Sequence, residues 1–361
     1  MKEFMFRKKI VLVAPVGGEC NLRCYYCYHE GIRKTKIKVM DDKTLLAVIK
    51  SAYGLARKID FLWHGGEPTL AGLDFYKKAV ELQKQFLPGH KIENIIQTNG
   101  TLLTNAWAEF FAREKFFVSI SLDGPKNLHN ANRVFPNGKG SFEKVVRGIN
   151  LIKQRQKVGI LCIVSSTNVD YPEEIYDFMK KIGNRGFEAN LCTETDLGVK
   201  HLIPSDEKSI KFFKRLFDLW FKDDNPNFRI RTFVNAIRAV VDGTPIDCSF
   251  AYNHCWLYLG IDENGDIYPC NRFLKNKELY MGSVQDGSLC QMHESEKAKA
   301  IYAEMPKIQG KCFRCKWWQN CGGGCAYDRW IINRKFSTLH PQCAIRQELF
   351  SYTEKKIQPH I

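Results

Sequence analysis

The sequence contains no apolar run of 18 residues, so no segment has the length of a membrane-spanning helix. It has no tandem repeats and no low-complexity linker, which excludes a repeat architecture and a long disordered tether. The stretch IVLVAPV near the N-terminus is short and lacks a clear cleavage site, so we predict a first strand there rather than a signal peptide. The 361 residues, 44% hydrophobic and 26% charged, are typical of a globular protein with roughly two domains.

Nucleic-acid-binding motifs are also lacking, although the formal net charge is +15. A charge of this sign would suit a nucleic acid or an acidic peptide. No basic strand carries the interleaved aromatic residues of an RNA-binding surface, so we do not expect a nucleic-acid partner. A solvated, mildly basic surface is the simpler interpretation, and an acidic peptide substrate is the second.

Cysteine, in contrast, is abundant, with 14 residues. A chain of this size does not need a disulfide framework, and the cysteines cluster at spacings typical of metal sites. We therefore expect a reducing, cytoplasmic location for this protein.

Three of these cysteines, Cys20, Cys24 and Cys27, have the spacing C-x3-C-x2-C in the run CNLRCYYCYHE. A 4Fe–4S cluster normally takes four thiolates, so three of them leave one iron open to a substrate or cofactor. The alternatives are a zinc knuckle or buried structural cysteines. Zinc sites usually combine two C-x2-C pairs, and no fourth ligand follows nearby in the sequence.

The C-x3-C-x2-C spacing resembles the signature of the radical S-adenosylmethionine (SAM) superfamily. The resemblance implies that the open iron binds the amino and carboxylate groups of SAM. It also implies that one electron cleaves SAM to a 5′-deoxyadenosyl radical, which removes hydrogen from an unactivated C–H bond.

Strand-like and helix-like segments alternate along residues 8–200, which predicts an α/β fold with a parallel sheet. The predicted strands are residues 9–16, 60–66, 92–100, 116–124, 158–166 and 187–195. The predicted helices are residues 41–57, 73–86, 105–115, 141–156, 172–185 and 206–222. Six strand–helix units match the partial, TIM-like (β/α)6 barrel of radical SAM enzymes, and we place this domain at residues 1–235.

Glycine-rich segments close three of the predicted strands: WHGGEPTL, QTNGT and SISLDGP. Short side chains at the carboxyl ends of parallel strands let a ligand approach the backbone. In this order after the cysteines, the segments resemble the SAM-binding motifs of the family. The resemblance implies that Gly66 holds the SAM amino group and that Ser121 meets the ribose or carboxylate, with Gly65, Glu67 and Asn99 in the same site.

Three further residues are implied in SAM binding by the same resemblance. Arg133 is a plausible partner of the SAM carboxylate, because a guanidinium pairs well with a carboxylate. Tyr26 would contact the adenine through its backbone, and Thr193, at the end of the last strand, would do the same.

Cysteine, glycine and short segments dominate from about residue 245, and we place a second domain at residues 236–361. Its cysteine spacings resemble the SPASM extension, which binds two auxiliary 4Fe–4S clusters. The resemblance implies auxiliary cluster I on Cys248, Cys255, Cys270 and Cys325, and auxiliary cluster II on Cys312, Cys315, Cys321 and Cys343. Eight thiolates would close both clusters, making three clusters in all; two structural zinc sites are the alternative. We expect Cys162 and Cys192 in the core and Cys290 at the surface.

The whole chain resembles the sulfatase-maturase type of radical SAM/SPASM protein, with one departure. Those enzymes oxidise a Cys or Ser of a sulfatase to formylglycine, with a catalytic aspartate directly after the cysteine that matches Cys270. Here that residue is Asn271, whose amide cannot accept a proton as a carboxylate does. The chain therefore resembles more the peptide-modifying branch, whose members cross-link ribosomal precursor peptides, and formylglycine formation is the alternative. We predict a cyclophane carbon–carbon bond, with a thioether as the variant.

The base of such a reaction is unknown from sequence. Asp123, Glu67 and His64 are candidates, and the last two are expected mainly to support the SAM pocket. Expected partners are a precursor peptide and an electron donor such as flavodoxin or ferredoxin, and the auxiliary clusters would accept the released electron. Two other hypotheses are a non-catalytic electron carrier, which would not need the glycine motifs, and an RNA- or carbohydrate-modifying radical enzyme.

Overall fold

The computed structural model describes residues 8–32, 36–183, 185–194, 198–243 and 247–360. Six parallel strands lie side by side in chain order and alternate with helices. The strands are β1 (Lys8–Val13), β2 (Lys58–Trp63), β3 (Lys91–Thr98), β4 (Phe117–Ser121), β5 (Val158–Val164) and β6 (Gly186–Leu191). The helices among them are α1 (Asp42–Ser51), α2 (Leu73–Phe86), α3 (Asn105–Arg113), α4 (Lys126–Asn130), α5 (Phe142–Lys153) and α6 (Pro172–Lys181).

Burial on both faces explains why these segments form strands. Parallel strands covered by helices are near-continuous apolar runs, and in β2 the side chains of Phe61 and Trp63 are fully buried. The six predicted strands and their helices are thus confirmed as the parallel α/β core. The predicted segments 172–185 and 187–195 include Asn184 and Thr195, which lie outside the described residues, as do residues 1–7 of the first predicted domain.

Two further helices and a short strand close this part of the chain. They are α7 (Asp206–Asp223), β7 (Arg229–Ile230) and α8 (Arg231–Asp242). The helix α7 begins at a Ser205 cap, whose side chain accepts from the backbone N–H of Lys208 over 3.3 Å.

The C-terminal part extends the same sheet. Its strands are β8 (Tyr258–Ile261), β9 (Asp266–Tyr268) and β10 (Gly282–Ser283). Its helices are α9 (Leu289–His293), α10 (Glu296–Glu304), α11 (Gly310–Phe313), α12 (Trp318–Cys321), α13 (Ala326–Asn333) and α14 (Cys343–Ile357). The strand β8 pairs with β1 in parallel, from Ile10 opposite Tyr258 to Val13 opposite Ile261, so β1 lies between β2 and β8.

The apolar core runs through both parts of the chain. Val11 and Val13 of β1 and Leu259 and Ile261 of β8 are fully buried in one cluster. The predicted boundary between residues 235 and 236 falls inside α8 and remains a prediction. In the described ranges, no helix combines the length and apolar character needed to span a bilayer.

Candidate functional site

The loop after β1 carries the first three cysteines and is fixed by its neighbours. Asn99, directly after β3, donates from Nδ2 to Asn21 Oδ1 over 2.8 Å and to Cys20 Sγ over 3.6 Å. The backbone N–H of Arg23 donates to the carbonyl of Val134 over 2.7 Å. The cysteine loop is therefore attached to the carboxyl end of the sheet on two sides.

The thiols of Cys20 and Cys27 lie close enough to Cys24 to affect the pKa of its thiol. Burial raises the pKa of the Cys24 thiol to about 12, although nearby Arg133 opposes the rise. The thiols of Cys27 and Cys20 raise the same pKa further. Because an iron ligand must be a thiolate, cluster binding here would displace buried protons. The arrangement fits a three-thiolate cluster site.

Glu67 joins the loops that follow β2 and β3. Its side chain is fully buried. One carboxylate oxygen accepts from Thr98 Oγ1 over 2.7 Å and from the backbone N–H of Thr69 over 3.0 Å. The other accepts from the backbone N–H of Asn99 over 2.6 Å. Burial raises the pKa of Glu67, and these hydrogen bonds oppose the rise. This carboxylate holds the predicted SAM pocket together.

The two glycines before Glu67 are required by conformation and space. Gly65 and Gly66 have φ of 132° and 52°, values that side-chain-bearing residues rarely adopt. A Cβ on Gly66 would overlap the carbonyl oxygen of Glu19, which accepts from the backbone N–H of Glu67 over 2.7 Å. The close approach brings the GGEP segment against the cysteine loop, as expected for a SAM-binding backbone.

Asp123 and Arg133 form a buried ion pair beneath the same loop. Arg133 Nε donates to Asp123 Oδ2 over 2.9 Å, and the Tyr26 hydroxyl donates to the same oxygen. The other oxygen accepts from the backbone N–H of Ile163 over 3.0 Å. Burial alone would lower the pKa of Arg133, yet Asp123 holds it well above the usual value. Asp123 therefore neutralises Arg133 and orients the ring of Tyr26.

The remaining predicted SAM residues lie at the ends of β4 and β6. Ser121 Oγ accepts from Gln97 Nε2 over 3.0 Å. Thr193 Oγ1 accepts from Arg272 Nη2 over 2.9 Å. The second bond connects the carboxyl end of the barrel to the C-terminal cysteine region.

A chain of hydrogen bonds crosses from the first cysteine loop to that region. Tyr28, the residue after Cys27, shares a hydrogen bond of 2.8 Å between its hydroxyl and His64 Nε2. Asn271 Nδ2 donates to the same hydroxyl over 3.2 Å. Burial lowers the pKa of His64 to about 4. In the described part of the chain, its buried Nδ1 has no hydrogen-bond partner.

The first auxiliary group comes together as predicted from the resemblance. Burial raises the pKa of the Cys255 thiol to about 12, and Cys325 and Cys270 raise it further. The pKa of Cys248 is raised in the same way, by burial first and then by the other three thiols. These four cysteines thus face one another.

Arg272 fixes this group to its surroundings. It donates from Nη1 to Cys325 Sγ over 3.8 Å and pairs with Asp328 Oδ1 over 2.7 Å. Its guanidinium carbon lies 4.0 Å from the ring centre of Tyr327. A cation in this position offsets the negative charge of thiolates bound to iron.

The second auxiliary group surrounds a cavity of about 450 Å³. Its cysteines Cys312, Cys315, Cys321 and Cys343 all line the cavity. Arg346 Nε donates to Cys321 Sγ over 3.2 Å, and Gln347 Nε2 donates to Cys343 Sγ over 3.7 Å. The space and the donors to sulfur fit a cluster with thiolate ligands.

The spacing of the cysteine groups bears on the zinc alternative. Four thiolates on one zinc ion stand roughly 4 Å apart, because each Zn–S bond is about 2.3 Å long. Among the residues that the structure describes, no three His, Cys, Asp or Glu side chains converge closely enough to bind a single metal ion. Metal analysis of the purified protein distinguishes zinc from iron–sulfur clusters at these cysteines.

The other cysteines and two unpredicted residues complete the site. Cys162 and Cys192 are buried, as expected, and Cys290 is partly exposed. Sequence reasoning missed Tyr28 and Arg272. Tyr28 adjoins a cluster cysteine, a position that could have singled it out, whereas the partners of Arg272 are distant in sequence.

Comparisons with known proteins identify two domain families along the chain. Residues 15–179 match the Radical SAM superfamily, and residues 253–316 match SPASM, an iron–sulfur cluster-binding domain. A serine-type anaerobic sulfatase-maturating enzyme of Bacteroides thetaiotaomicron is 34% identical over 348 residues, covering 88% of this chain and 83% of the relative. The chain belongs to the radical SAM/SPASM enzyme family. It therefore uses SAM, a 4Fe–4S cluster and additional iron–sulfur clusters.

Solved structures show the same fold. Native anSMEcpe with bound AdoMet superimposes with a TM-score of 0.88 at 30% identity, covering 97% of this chain and 98% of that one. Streptococcus suis SuiB bound to precursor peptide SuiA superimposes with a TM-score of 0.66 at 18% identity, covering 92% and 75%. The second likeness concerns the fold alone.

Proposed function

We propose that this enzyme cross-links a ribosomally made precursor peptide, with a cyclophane carbon–carbon bond as the product and a thioether as the variant. The observation that carries the proposal is Asn271. It takes the position of the sulfatase-maturase aspartate and donates to Tyr28 over 3.2 Å, so the site offers an amide in place of a carboxylate. The base that formylglycine formation requires is therefore missing at that position.

Eleven cysteines of the chain would hold three clusters, one for SAM and two auxiliary. The SAM-side ligands are Cys20, Cys24 and Cys27, and the auxiliary ligands are the two groups of four described above. When bound, these groups and SAM supply a 5′-deoxyadenosyl radical and an acceptor for the electron that cross-linking releases. The glycine backbone of the GGEP segment and Arg133 would position SAM beside them.

His64 is the candidate proton acceptor that the geometry favours. Asp123 and Glu67 are fully buried, and both oxygens of each already accept hydrogen bonds from the protein. His64 lies beside Tyr28, between the two cysteine regions. A base with a pKa of about 4 is weak. It still suffices, because an aromatic ring that has gained a carbon–carbon bond and lost an electron is a strong acid.

A peptide substrate and a protein electron donor complete the proposal. The structure of native anSMEcpe with bound AdoMet and Cp18Cys peptide, 30% identical to this chain, holds a peptide, which supports a peptide substrate here. The net charge of +15 suits an acidic peptide and an acidic donor such as flavodoxin or ferredoxin.

The test uses the anaerobically reconstituted enzyme with SAM, a reductant and a precursor peptide that contains aromatic residues. We expect each cross-link to remove two hydrogens and to leave no carbonyl, so mass spectrometry should show the loss without labelling by a hydrazine reagent. Unchanged mass for every aromatic-bearing peptide would reject the proposal.

Formylglycine formation is the second candidate, favoured by the 34% identity to a sulfatase-maturating enzyme. The same assay separates it, because formylglycine is an aldehyde that reacts with hydrazine. A sulfatase-derived peptide with Cys or Ser serves as the substrate. Hydrazine-reactive product from the unaltered enzyme would overturn the cross-linking proposal.

A further inference from the structure

An exposed aromatic and basic surface surrounds the second auxiliary group. Phe313 and Tyr252 are 58% and 48% exposed, and each ring centre lies 5.0 Å from that of Trp318. Lys311 and Arg314 are exposed beside them. We call these five residues the aromatic–basic patch. Exposed clusters of large apolar rings mark interaction sites in soluble proteins.

The patch forms the outer wall of a redox site. Lys311 and Trp318 line the cavity that also holds the four cysteines of auxiliary group II. Any protein seated on the patch would therefore lie directly over that group.

The charge of the patch is of one sign. Between Glu304 and Asp328 the sequence contains four basic residues and no acidic ones. Lys316 is paired with Glu354 over 2.6 Å. In the described ranges, Lys311 and Arg314 form no ion pair within 4.0 Å. Lys311 lines the cavity together with Cys312 and Cys343, so the positive charge that the patch presents to an approaching partner is mainly that of Arg314.

The contacts also show in which sequence the two auxiliary groups lie between the barrel and the patch. Arg272 joins Thr193 at the barrel end to Cys325 of auxiliary group I. Cys325 follows Cys321 of auxiliary group II by four residues across a glycine turn. Group I therefore adjoins the barrel, and group II adjoins the surface.

We infer that the aromatic–basic patch docks a small acidic one-electron carrier protein of the flavin or iron–sulfur type. The inference rests on the proposed function, which releases one electron per cross-link. The peptide loses one hydrogen atom to the 5′-deoxyadenosyl radical, forming 5′-deoxyadenosine. It loses the second as a proton to a base and an electron, which reduces the docked carrier by one electron. A reduced carrier of the same class first supplies the one electron that cleaves SAM to methionine and the 5′-deoxyadenosyl radical. Over one turnover SAM is therefore the net oxidant, and the carrier ends with as many electrons as it began with.

A precursor peptide is the competing occupant, and the structure favours the carrier. The peptide must reach the carboxyl ends of the barrel strands, where Tyr28 and Asn271 meet. The patch belongs to the outer auxiliary group instead. The aromatic–basic patch lies over auxiliary group II. Its exposed rings and basic side chains suit an acidic protein whose redox cofactor must come close to that group.

The test measures binding of oxidised flavodoxin to the reconstituted full-length enzyme, in the absence of peptide and SAM. We compare the unaltered enzyme with Arg314→Glu and with Phe313→Ser. The matched control is Lys181→Glu, an exposed lysine at the opposite end of the barrel. Iron content and dithionite-supported 5′-deoxyadenosine formation report whether each variant is intact.

We expect the charge-reversal variant to raise the dissociation constant at least tenfold at low salt, and Phe313→Ser to weaken binding without changing its salt dependence. The control should bind like the unaltered enzyme, and dithionite-supported turnover should not change. Equal binding of flavodoxin by all variants would overturn the inference. Binding is measured without substrate, so neither result depends on which bond the enzyme forms.

Discussion

The exchange of a carboxylate for an amide at Asn271 changes the chemistry at one residue position. An amide cannot take up a proton, but it can donate a hydrogen bond, as it does here to Tyr28. The hydroxyl of Tyr28 meets His64 on its other side. Of the three hydrogen-bonded residues Asn271, Tyr28 and His64, the proton acceptor is therefore His64, which follows β2.

His64→Gln tests this role. Glutamine retains a polar side chain next to Tyr28 but does not accept a proton. We expect 5′-deoxyadenosine still to form while cross-linked peptide falls by about 10²-fold or more, because hydrogen abstraction precedes proton loss. Chromatography of both products gives the ratio. His90→Gln, a histidine before β3, is the control, and an equal fall of both products would contradict the role.

The pH dependence follows from the lowered pKa of His64, about 4. The neutral ring is the proton acceptor, and it is protonated only when the pH falls towards 4. We therefore expect the yield of cross-link per 5′-deoxyadenosine to stay constant between about pH 6 and pH 8, where an ordinary histidine would lose activity on the acidic side. A decline centred near pH 6.5 would show that His64 is not buried during the reaction.

At the scale of elements, the SAM pocket depends on contacts between strand ends. Glu67 receives hydrogen bonds from the loops after β2 and β3, while the Asn99 amide extends the same contacts to the cysteine loop after β1. Three consecutive strand ends are thereby fixed in one geometry before SAM binds.

Glu67→Gln replaces one accepting oxygen with an amide group that faces buried donors. We expect a loss of about 2–3 kcal/mol of stability and weaker SAM binding, since a buried donor is left without an acceptor. The midpoint of thermal unfolding and a SAM titration measure the two effects. The same change at the exposed Glu93, paired with Lys58 over 2.8 Å, should alter neither by much.

The strands of the barrel could be predicted from the sequence because each is a local apolar run between helical patterns. The pairing of β8 with β1 could not, since it joins Ile10 to Tyr258 and leaves no local pattern. The residues of the site also divide into those that the sequence could predict and those that it could not. The cysteine groups have recognisable spacings, whereas the contacts of Arg272 and Tyr28 depend on how distant segments meet.

The whole molecule should bind about twelve irons, four for each cysteine group. Removing two ligands from the outer group, as in Cys312→Ala/Cys315→Ala, should leave about eight irons and preserve SAM cleavage, because the first cluster is untouched. Iron analysis and the 5′-deoxyadenosine assay check both outcomes. Cys162→Ala, a buried cysteine outside the groups, should keep all twelve. A preparation with about four irons and bound zinc would contradict the assignment.

The position of β1 in the sheet has a consequence for biosynthesis. The strand leaves the ribosome well before one of its two neighbours, β8, which lies about 250 residues later in the sequence. Until residues 258–261 emerge, β1 has an unpaired edge next to the loop with Cys20, Cys24 and Cys27. An interrupted chain would therefore leave an open sheet edge beside the three thiols of this loop.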